Sequence, residues 1–357
     1  MNNENRLLVI NVGSTSTKVA FFRGREPVAL ENIRYSSEDL ARFSSLAEQL
    51  PLREEDVVKF LEKNGIDLKE VEMVVSRGGL GRPAPAGAYK VDEAMCRDLL
   101  EEKYGRHPSG LGPSIALDFS KKYGMPAIVI DPPSTDEFEP IARVSGIPEI
   151  ERRSVAHALN QKMAARRYAA KLGKKYEEIN VVVAHLGGGV SIGAHRMGRM
   201  VDCTHGLSEG PLTPERAGAL PTLELLDFAA SSKLERKQLQ TRLVGQGGLA
   251  AYLGTTDAKK VEEMVRGGDK KAELIFEAMA YQISKGIGAM TTVLKGKVDG
   301  IVITGGLAHS EMLRGLIEER VGFLAPFFVY PGEDEMLALA EGGLRVLRGE
   351  EEVKAYC

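Results

Sequence analysis

The stretch VINVGSTSTKVA at residues 9–20 decides the fold, because a similar stretch, VAHLGGGVSIGA, recurs at residues 183–194. Each stretch has an apolar run, a turn of small residues and a second apolar run, which is the pattern of a β-hairpin. The two copies begin about half a chain apart. We therefore predict two similar domains that face each other across a cleft. The alternative is that two short glycine-rich hairpins match by chance.

The rest of the chain has the pattern of an α/β protein. It has 357 residues, 43% of them hydrophobic and 27% charged, so it is globular and longer than one ordinary domain. Short apolar runs predict strands at residues 7–11, 18–22, 73–75, 127–130, 181–185, 190–195 and 301–304. Helical periodicity predicts helices at residues 54–64, 148–173, 223–228 and 272–294, and a closing helix that begins within 332–335. The glycine- and proline-rich segment 77–90 is predicted to be a loop.

Several classes of protein are disfavoured by composition. The 47 basic and 50 acidic residues give a net charge of −3 without a basic cluster, which argues against binding to nucleic acid or an acidic membrane. No apolar run reaches the ~18 residues of a membrane span, and the N-terminus is interpreted as a strand and not as a signal peptide. Cys96, Cys203 and Cys357 lack metal-site spacing, so we expect neither zinc nor disulfides and a cytoplasmic location.

The first hairpin carries a candidate phosphate site. Its strand end and turn supply Asn11, Gly13, Ser14, Ser16 and Lys18 within eight positions. Glycine allows close approach of the main chain to a phosphate, hydroxyl groups donate hydrogen bonds, and lysine adds positive charge. A plain hairpin with a polar turn is the structural alternative.

Two further glycine motifs follow predicted strands. His185 precedes Gly187, Gly188 and Gly189, a run that favours a main-chain phosphate cradle or, alternatively, a tightly packed turn. Gly305 and Gly306 follow the strand at 301–304 and would allow close approach of a base or ribose. The chain has no GxxxxGK[ST] motif, and its G-x-G-x-x-G/A match at 245–250 follows a helical segment, so P-loop and dinucleotide sites are excluded.

Four side chains are candidates for catalysis, and each also has an ordinary structural explanation. Arg77 and Asp131 follow predicted strands, where α/β sheets bind ligands. His157 lies in the helix predicted at 148–173, and Arg216 lies in the loop SEGPLTPERAGALP at 208–221. A lone Arg or Asp is usually a solvated surface residue, and a helical His is more often structural. Glu335 has a comparable structural explanation, since an acidic residue in a first helical turn interacts favourably with the helix dipole.

Together these motifs resemble the acetokinase family, within the superfamily that includes actin, the Hsp70 ATPase domain and sugar kinases. The hairpin matches the N-x-G-S-x-S-x-K motif of the family, and HLGGG and the Thr304–Gly306 tripeptide match its second phosphate motif and its adenosine motif. The resemblance implies two ribonuclease H-like (actin-like ATPase) domains with mixed sheets around an interdomain cleft. It also implies an acyl-substrate domain of residues 1–140 and 337–357 and a nucleotide domain of residues 141–336.

Within the family, the stretches at 145–167 and 209–221 resemble the butyrate kinase branch. Acetate kinases usually have Asn at the position of Gly188, and GGIGEN where this chain has GGLAHS at 305–310. They also usually carry a bulky aliphatic residue at the position of Gly79 and Phe at the position of Ala156. Both small residues suggest room for a longer acyl chain, so we expect Gly79→Val or Ala156→Phe to impair butyrate more than acetate.

The resemblance implies reversible transfer of the ATP γ-phosphoryl group to a short-chain carboxylate, by direct in-line attack. Such an acid is already ionised at pH 7, so positive charge and positioning matter more than a general base. Arg77 and Arg216 would clamp the carboxylate and the transferred group, and His157 would donate a hydrogen bond. Mg²⁺ would be held, directly or through water, by Asn11, Asp131 and Glu335.

Other functions remain open from the sequence. They are an acetate, propionate or branched-chain acid kinase, a sugar kinase, and an actin- or Hsp70-like ATPase whose output is conformational. The resemblance also suggests a homo-oligomer, a dimer or larger. The partners expected are small molecules, namely the nucleotide and the carboxylate, and neither nucleic acid nor a membrane.

Overall fold

The computed structural model describes residues 5–356, so Cys357 lies outside the described residues. The chain divides into two compact units, one of residues 1–135 and 334–357 and one of residues 136–333. The assignment of the acyl substrate and the nucleotide to separate domains stays a prediction.

Twelve strands and thirteen α-helices are formed by the described residues. The strands are β1 (Arg6–Val12), β2 (Ser16–Arg23), β3 (Glu26–Arg34), β4 (Met73–Ser76), β5 (Ala88–Lys90), β6 (Ala127–Ile130), β7 (Asn180–Leu186), β8 (Val190–Arg196), β9 (Arg199–Cys203), β10 (Gly300–Gly305), β11 (Phe327–Pro331) and β12 (Val353–Lys354). The helices are α1 (Ser37–Ala41), α2 (Leu50–Lys63), α3 (Glu93–Leu100), α4 (Leu111–Tyr123), α5 (Pro140–Arg143), α6 (Ala158–Lys171), α7 (Thr222–Ser231), α8 (Arg236–Leu243), α9 (Gly248–Leu253), α10 (Ala258–Arg266), α11 (Lys270–Val293), α12 (Glu311–Val321) and α13 (Glu335–Leu347). Short 3-10 helices occupy Ala47–Gln49, Leu68–Glu70, Pro108–Gly110, Tyr176–Glu178 and Gly306–His309.

The first unit contains a mixed seven-stranded sheet in the order β12-β5-β6-β4-β1-β2-β3. The strands β1, β2 and β3 are antiparallel neighbours, whereas β4 and β6 run parallel to β1. The strands β4 and β6 consist of four buried residues each, as expected for parallel strands that are covered on both faces.

The second unit contains a five-stranded sheet in the order β11-β10-β7-β8-β9. Its strands repeat the order and the directions of β6-β4-β1-β2-β3, with an antiparallel trio followed by two parallel strands. The hairpins β1–β2 and β7–β8 are therefore equivalent parts of two similar domains. This confirms the prediction of two similar domains that was made from the repeated sequence.

Helices cover both faces of each sheet. In the first unit, α2, α3 and α4 pack on one face of the sheet, and α13 packs on the other. Gly342 and Gly343 of α13 permit this contact, because added Cβ atoms would lie 2.6 Å from Ile130 and 2.7 Å from Val75. In the second unit, α11 and α12 cover one face and α6 covers the other.

Most predicted elements are confirmed, but the predicted helix at 148–173 is wrong at its start. The helix α6 begins only at Ala158, so Val155 lies outside it and His157 is its N-cap residue. The preceding segment is held by tertiary contacts, since the Arg152 guanidinium donates to Ala142 O (2.7 Å) and Cys203 O (3.0 Å). Periodicity alone does not reveal such competing contacts.

The segment 77–90 also differs from its prediction as a loop. Its last three residues form β5, which pairs antiparallel with β6 and parallel with β12. The cysteines Cys96 and Cys203 are buried free thiols, and burial raises their pKa values to about 11 and about 12. Within residues 5–356, every helix is too short or too polar to cross a bilayer.

Candidate active site

The predicted phosphate hairpin joins β1 and β2 in the first unit. The Gly13 N–H donates to Ser16 O (2.8 Å), which closes the turn, and Asn11 lies opposite Lys18 in the hairpin register. Ser14 is exposed at the tip, whereas the flanking strands are mostly buried. The hairpin thus brings exposed hydroxyl and main-chain donors to the end of a rigid sheet, which is an arrangement suited to an anion.

Three of the predicted site residues meet in the first unit. The Asn11 Nδ2 donates to Glu335 Oε2 (2.6 Å), and the Arg77 Nη1 lies 2.6 Å from Glu335 Oε1. The Arg77 side chain is 17% exposed and that of Glu335 is 9% exposed. The first turn of α13 is capped by Asp334, whose carboxylate accepts from Leu337 N. Glu335 therefore does more than interact with the helix dipole, because its carboxylate orients the Asn11 amide and the Arg77 guanidinium.

Asp131 follows β6 in a backbone conformation that L-residues rarely adopt. Its φ is +39° and its side chain is buried. The Asp131 Oδ1 accepts from Gly87 N (2.8 Å), and the Asp131 N–H donates to Gly87 O (3.1 Å). Such strain costs about 1–3 kcal/mol and is concentrated at functional sites. The catalytic role of Asp131 stays a prediction.

An apolar cavity lies next to the segment that follows Arg77. About 20 Å³ of it is open to the centre of a water molecule, and it is lined by Gly78, Gly79, Gly81, Arg82, Ala84, Tyr89, Met95, Leu99, Val129, Pro132, Ser134 and Tyr356. A Cβ atom on Gly79 would lie 2.7 Å from the Gly110 Cα and 2.9 Å from the Leu99 Cδ2. Gly79→Val would therefore disturb the main chain at Gly110 as well as the cavity, which makes it a poor test of pocket size.

In the second unit, Arg216 packs directly on the triglycine turn after β7. A Cβ atom on Gly189 would lie 2.4 Å from the Arg216 Cζ, so a larger residue there would displace the guanidinium. The Gly187 N–H donates to Gly189 O (2.9 Å), and the Thr213 hydroxyl donates to Gly188 O (2.6 Å). The turn and the loop that carries Arg216 are thereby fixed to each other.

The Arg216 guanidinium is only partly satisfied by protein acceptors. Its Nη1 donates to Gly206 O (2.6 Å), and its Nη2 lies 3.8 Å from Glu215 Oε1. Its Nε is buried and has no hydrogen-bond partner among the described residues. Burial lowers the pKa of Arg216, and Glu215 opposes that effect. A buried donor without a protein acceptor suits an oxygen of a bound anion.

Two histidines of the second unit lie side by side. The ring centroids of His157 and His185 are 4.6 Å apart. The Asn160 N–H donates to His157 Nδ1 (3.4 Å), and the Asn160 Nδ2 lies 3.4 Å from His185 Nδ1. The His185 Nε2 lies 3.2 Å from Glu333 Oε1.

The helix cap determines what His157 offers to a ligand. Because the His157 Nδ1 accepts the Asn160 N–H, a neutral ring carries its proton on Nε2 and is a hydrogen-bond donor there. His157, His185 and Glu333 place three potential metal-ligand atoms within 4.8 Å of one another. A protonated Nε2 does not bind a metal, so the tautomer of His157 favours an anion at this position.

The end of β10 approaches the end of β7 very closely. Gly305 has a φ of +92°, and a Cβ atom there would lie 2.3 Å from Leu186 O. Among residues 5–356, no atom outside the adjoining main chain lies within 4 Å of the corresponding position on Gly306. The Thr304 hydroxyl and the Gly305 N–H both donate to Gly332 O. The adenosine motif thus combines one glycine required by packing with one that leaves open space.

Ala156, predicted to widen the acyl pocket, is half-buried just before His157. It packs against an apolar cluster formed by Phe138, Ala142, Ala158, Met200 and Cys203. Its role in a substrate pocket stays a prediction.

Some residues at these sites were not found from the sequence. Asn160 contacts both histidines, Glu333 contacts His185, and Thr213 fixes the triglycine turn. The dipeptide Glu333–Asp334 was interpreted only as an acidic helix start. Asn160 and Thr213 act through single bonds to distant parts of the chain, which no local pattern reveals.

Comparisons with known proteins agree with these motifs. The model of the Acetokinase family matches residues 148–326. A protein named "Probable butyrate kinase" from Coprothermobacter proteolyticus is 51% identical over 98% of this chain and 99% of its own length.

Solved structures show the same fold. Porphyromonas gingivalis acetate kinase has a TM-score of 0.79 at 17% identity, over 96% of this chain and 100% of its own. A propionate kinase from Francisella tularensis has a TM-score of 0.75 at 18% identity, over 95% and 98%. With the repeated sheets, the paired glycine-rich hairpins and a relative that matches nearly the whole sequence, this chain belongs to the acetokinase family.

Proposed function

We propose that the protein is an ATP-dependent carboxylate kinase that converts butyrate and ATP reversibly to butyryl phosphate and ADP. The observation that carries this proposal is the 51% identity, over almost the whole of both chains, to a protein named a probable butyrate kinase. The family motifs and the shared fold support the same class of reaction.

Each unit carries a candidate arginine, and this positive charge suits a reaction between anions. A fatty acid is ionised at pH 7, so it needs no general base but must approach a negatively charged phosphate. Arg77, oriented by Glu335, and Arg216, with its buried Nε donor, are proposed to offset this repulsion by binding the carboxylate and the transferred group. Asp131 is proposed to assist them.

His157 is proposed to donate a hydrogen bond to the transferred phosphoryl oxygens. Its capping bond places the proton of the neutral ring on Nε2. The hairpin at 11–18 and the motif at 185–189, together with Gly305 and Gly306, are proposed to bind the phosphates and the adenosine of ATP.

The first unit also has donors that fit Mg²⁺. Asn11, Asp131 and Glu335 supply one amide and two carboxylates, the oxygen ligands that this ion prefers, and all three are buried. These residues would hold the ion directly or through water. When bound, Mg²⁺ supplies charge neutralisation of the phosphates.

The cavity lined by the segment after Arg77 is proposed to hold the acyl chain, because its lining is mostly apolar and Gly78, which lines it, directly follows Arg77 in the sequence. Ala84→Leu would fill part of it and is expected to lower kcat/KM for butyrate about tenfold more than for acetate. Ala156→Phe is expected to act in the same direction. An equal loss for both acids in Ala84→Leu would contradict this location of the pocket. Ala156 does not line this cavity, so an equal loss in Ala156→Phe would contradict only a role of Ala156 in acyl-chain selection.

The test of function is an acid panel of acetate, propionate, butyrate and isobutyrate with ATP and Mg²⁺. Hydroxylamine traps acyl phosphates, so hydroxamate formation measures the reaction directly. The highest kcat/KM is expected for butyrate. A maximum at acetate, propionate or isobutyrate would reassign the substrate, and ATP hydrolysis without hydroxamate would support a conformational ATPase.

In-line transfer is proposed to proceed without a phosphoenzyme. Incubation with γ-labelled ATP in the absence of acid is expected to leave the protein unlabelled. A labelled adduct on Glu335 that forms and decays as fast as turnover would replace this proposal with a two-step mechanism.

We further propose a cytoplasmic homo-oligomer without nucleic-acid or membrane partners. The buried free thiols of Cys96 and Cys203 are compatible with a reducing compartment, where ATP is also available. Cell fractionation and light scattering test location and assembly.

A further inference from the structure

Among residues 5–356, Arg53 has one of the largest fully buried side chains, and it has no role in the proposed reaction so far. It lies in the first turn of α2, within the first unit. A buried guanidinium costs free energy unless its donors are satisfied and its charge is balanced. Its surroundings therefore indicate what it does.

All of the acceptors around Arg53 are neutral, and three of them belong to the phosphate hairpin. The Nη2 donates to Ser14 O (3.2 Å), and the Nη1 donates to Ser16 O (3.1 Å) and to the Thr17 hydroxyl (3.0 Å). The Nε and the Nη2 donate to Gln49 Oε1. The Arg53 guanidinium thus holds the hairpin from the side that faces α2.

No carboxylate within residues 5–356 lies at ion-pair distance from Arg53. The Tyr35 ring lies 4.7 Å from its Cζ, and the Tyr35 hydroxyl donates to Asp56 Oδ2 (3.0 Å). Asp56 thus interacts with Arg53 across the ring and does not contact it directly. Burial lowers the pKa of Arg53, although Tyr35 and Asp56 oppose that effect.

Because Arg53 holds the hairpin carbonyls, the geometry of the peptide bond also fixes the direction of the hairpin N–H groups. In a trans peptide the C=O and the next N–H point in opposite directions. With Ser14 O held by Arg53, the Thr15 N–H must point away from α2. Thr15 O is held in turn by Tyr35 N (2.9 Å). Within residues 5–356, the Thr15 N–H and the Ser14 and Thr15 hydroxyls donate to no protein acceptor.

We propose that Arg53 is a positioning residue for the nucleotide phosphates. It holds the hairpin carbonyls so that the turn donors face the phosphate chain, and its buried charge is offset by that chain when ATP is bound. This inference rests on the proposed function, because it requires the hairpin to bind phosphate.

Binding of nucleotides that differ only in phosphate number tests the inference. The variants are Arg53→Met, which removes the charge at similar length, and Arg53→Lys, which keeps the charge and loses the fork. The exposed Arg97→Met on α3 of the same unit is the control. Calorimetry with ATP, ADP and AMP in the presence of Mg²⁺ gives the affinities, and thermal unfolding reports stability.

We expect Arg53→Met to weaken ATP about tenfold or more, ADP less, and AMP by no more than about twofold. Arg53→Lys should lie between wild type and Arg53→Met, and Arg97→Met should match wild type. Equal loss for ATP and AMP, or unchanged ATP binding by Arg53→Lys where Arg53→Met does not fold, would overturn the inference. Failure of the wild-type protein to bind ATP would overturn the proposed function itself.

Discussion

At the scale of single residues, the carboxylate of Glu335 connects two side chains from different strand ends. Its two oxygens contact Asn11 and Arg77 separately, so it fixes the direction of both. The sequence placed Glu335 in the first turn of a helix but gave no indication of these contacts, because Asn11 is 324 positions away. Contacts between residues so far apart in sequence follow from the fold and not from a local pattern.

Glu335→Gln is predicted to impair catalysis more than stability. The amide keeps the size of the side chain but removes the charge that orients Arg77, so we expect kcat for butyrate to fall about tenfold or more. Glu341→Gln, on the same helix, removes the carboxylate that pairs with the exposed Arg25 and serves as the control. Steady-state kinetics and melting temperatures of both variants check this. Equal kcat values for the two variants would contradict it.

His195 is predicted to make the protein sensitive to acid. Its ring is buried, with Nδ1 2.6 Å from the Tyr176 hydroxyl and Nε2 2.9 Å from Gln161 Oε1. Burial holds the pKa of His195 well below its usual value, and Lys162 and Arg166 lower it further. The unfolded chain therefore binds a proton below about pH 6.5 that the folded chain does not, so stability falls as the pH drops through this range.

His195→Gln is expected to flatten this dependence, which is at most about 1.4 kcal/mol per pH unit. Urea unfolding at pH 7.5 and pH 5.5 measures the free energy of unfolding of both proteins. The variant should lose less stability between these pH values, even if it is less stable at pH 7.5. Equal losses for wild type and variant would show that His195 titrates normally.

At the scale of elements, the approach of β10 to β7 depends on Gly305. Gly305→Ala would place a Cβ atom 2.3 Å from Leu186 O at a φ of +92°, so we expect a loss of about 2–4 kcal/mol in stability. Gly306→Ala is the matched comparison, since in the described part of the chain no atom beyond the adjoining main chain lies within 4 Å of its Cβ position. Thermal unfolding of the two variants should separate them clearly. Similar melting temperatures would contradict the packing described here.

Strands were easier to predict than helix boundaries. The strand β6 was predicted at its observed bounds, because four buried apolar residues in a row leave little choice. The helix α6 was predicted ten residues too early, since its start is set by the His157 cap and by the contacts of Arg152. The strand β5 was missed because its pairing with β6 and β12, not its own three residues, defines it.

At the scale of the whole molecule, the repeated hairpin correctly predicted two similar domains. The match between two distant segments indicates a shared topology more reliably than either segment does alone. The turns that are proposed to bind phosphate were likewise found as glycines after strands, and their role stays a prediction. Arg53, Asn160 and Glu333 could not be found in this way, because their importance lies in contacts with other segments.

The proposal that Arg77 and Arg216 serve one reaction predicts non-additive kinetics. Each change to Ala is expected to lower kcat about 10²-fold or more, and the double variant is expected to lose less than the product. Arg77→Ala combined with Arg266→Ala, which removes an exposed guanidinium on α10, should be additive. Purely multiplicative losses in the Arg77/Arg216 pair would indicate that the two residues act independently.

The first unit is built from both ends of the sequence, whereas residues 136–333 form the second unit without interruption. During synthesis on the ribosome, the second unit can collapse while the first still lacks α13. Asn11 and Arg77 then lack their carboxylate partner until Glu335, the last of the three in the sequence, has been synthesised. We therefore expect nascent chains to remain inactive until α13 has been synthesised, and the sheet face that α13 covers to stay exposed until then.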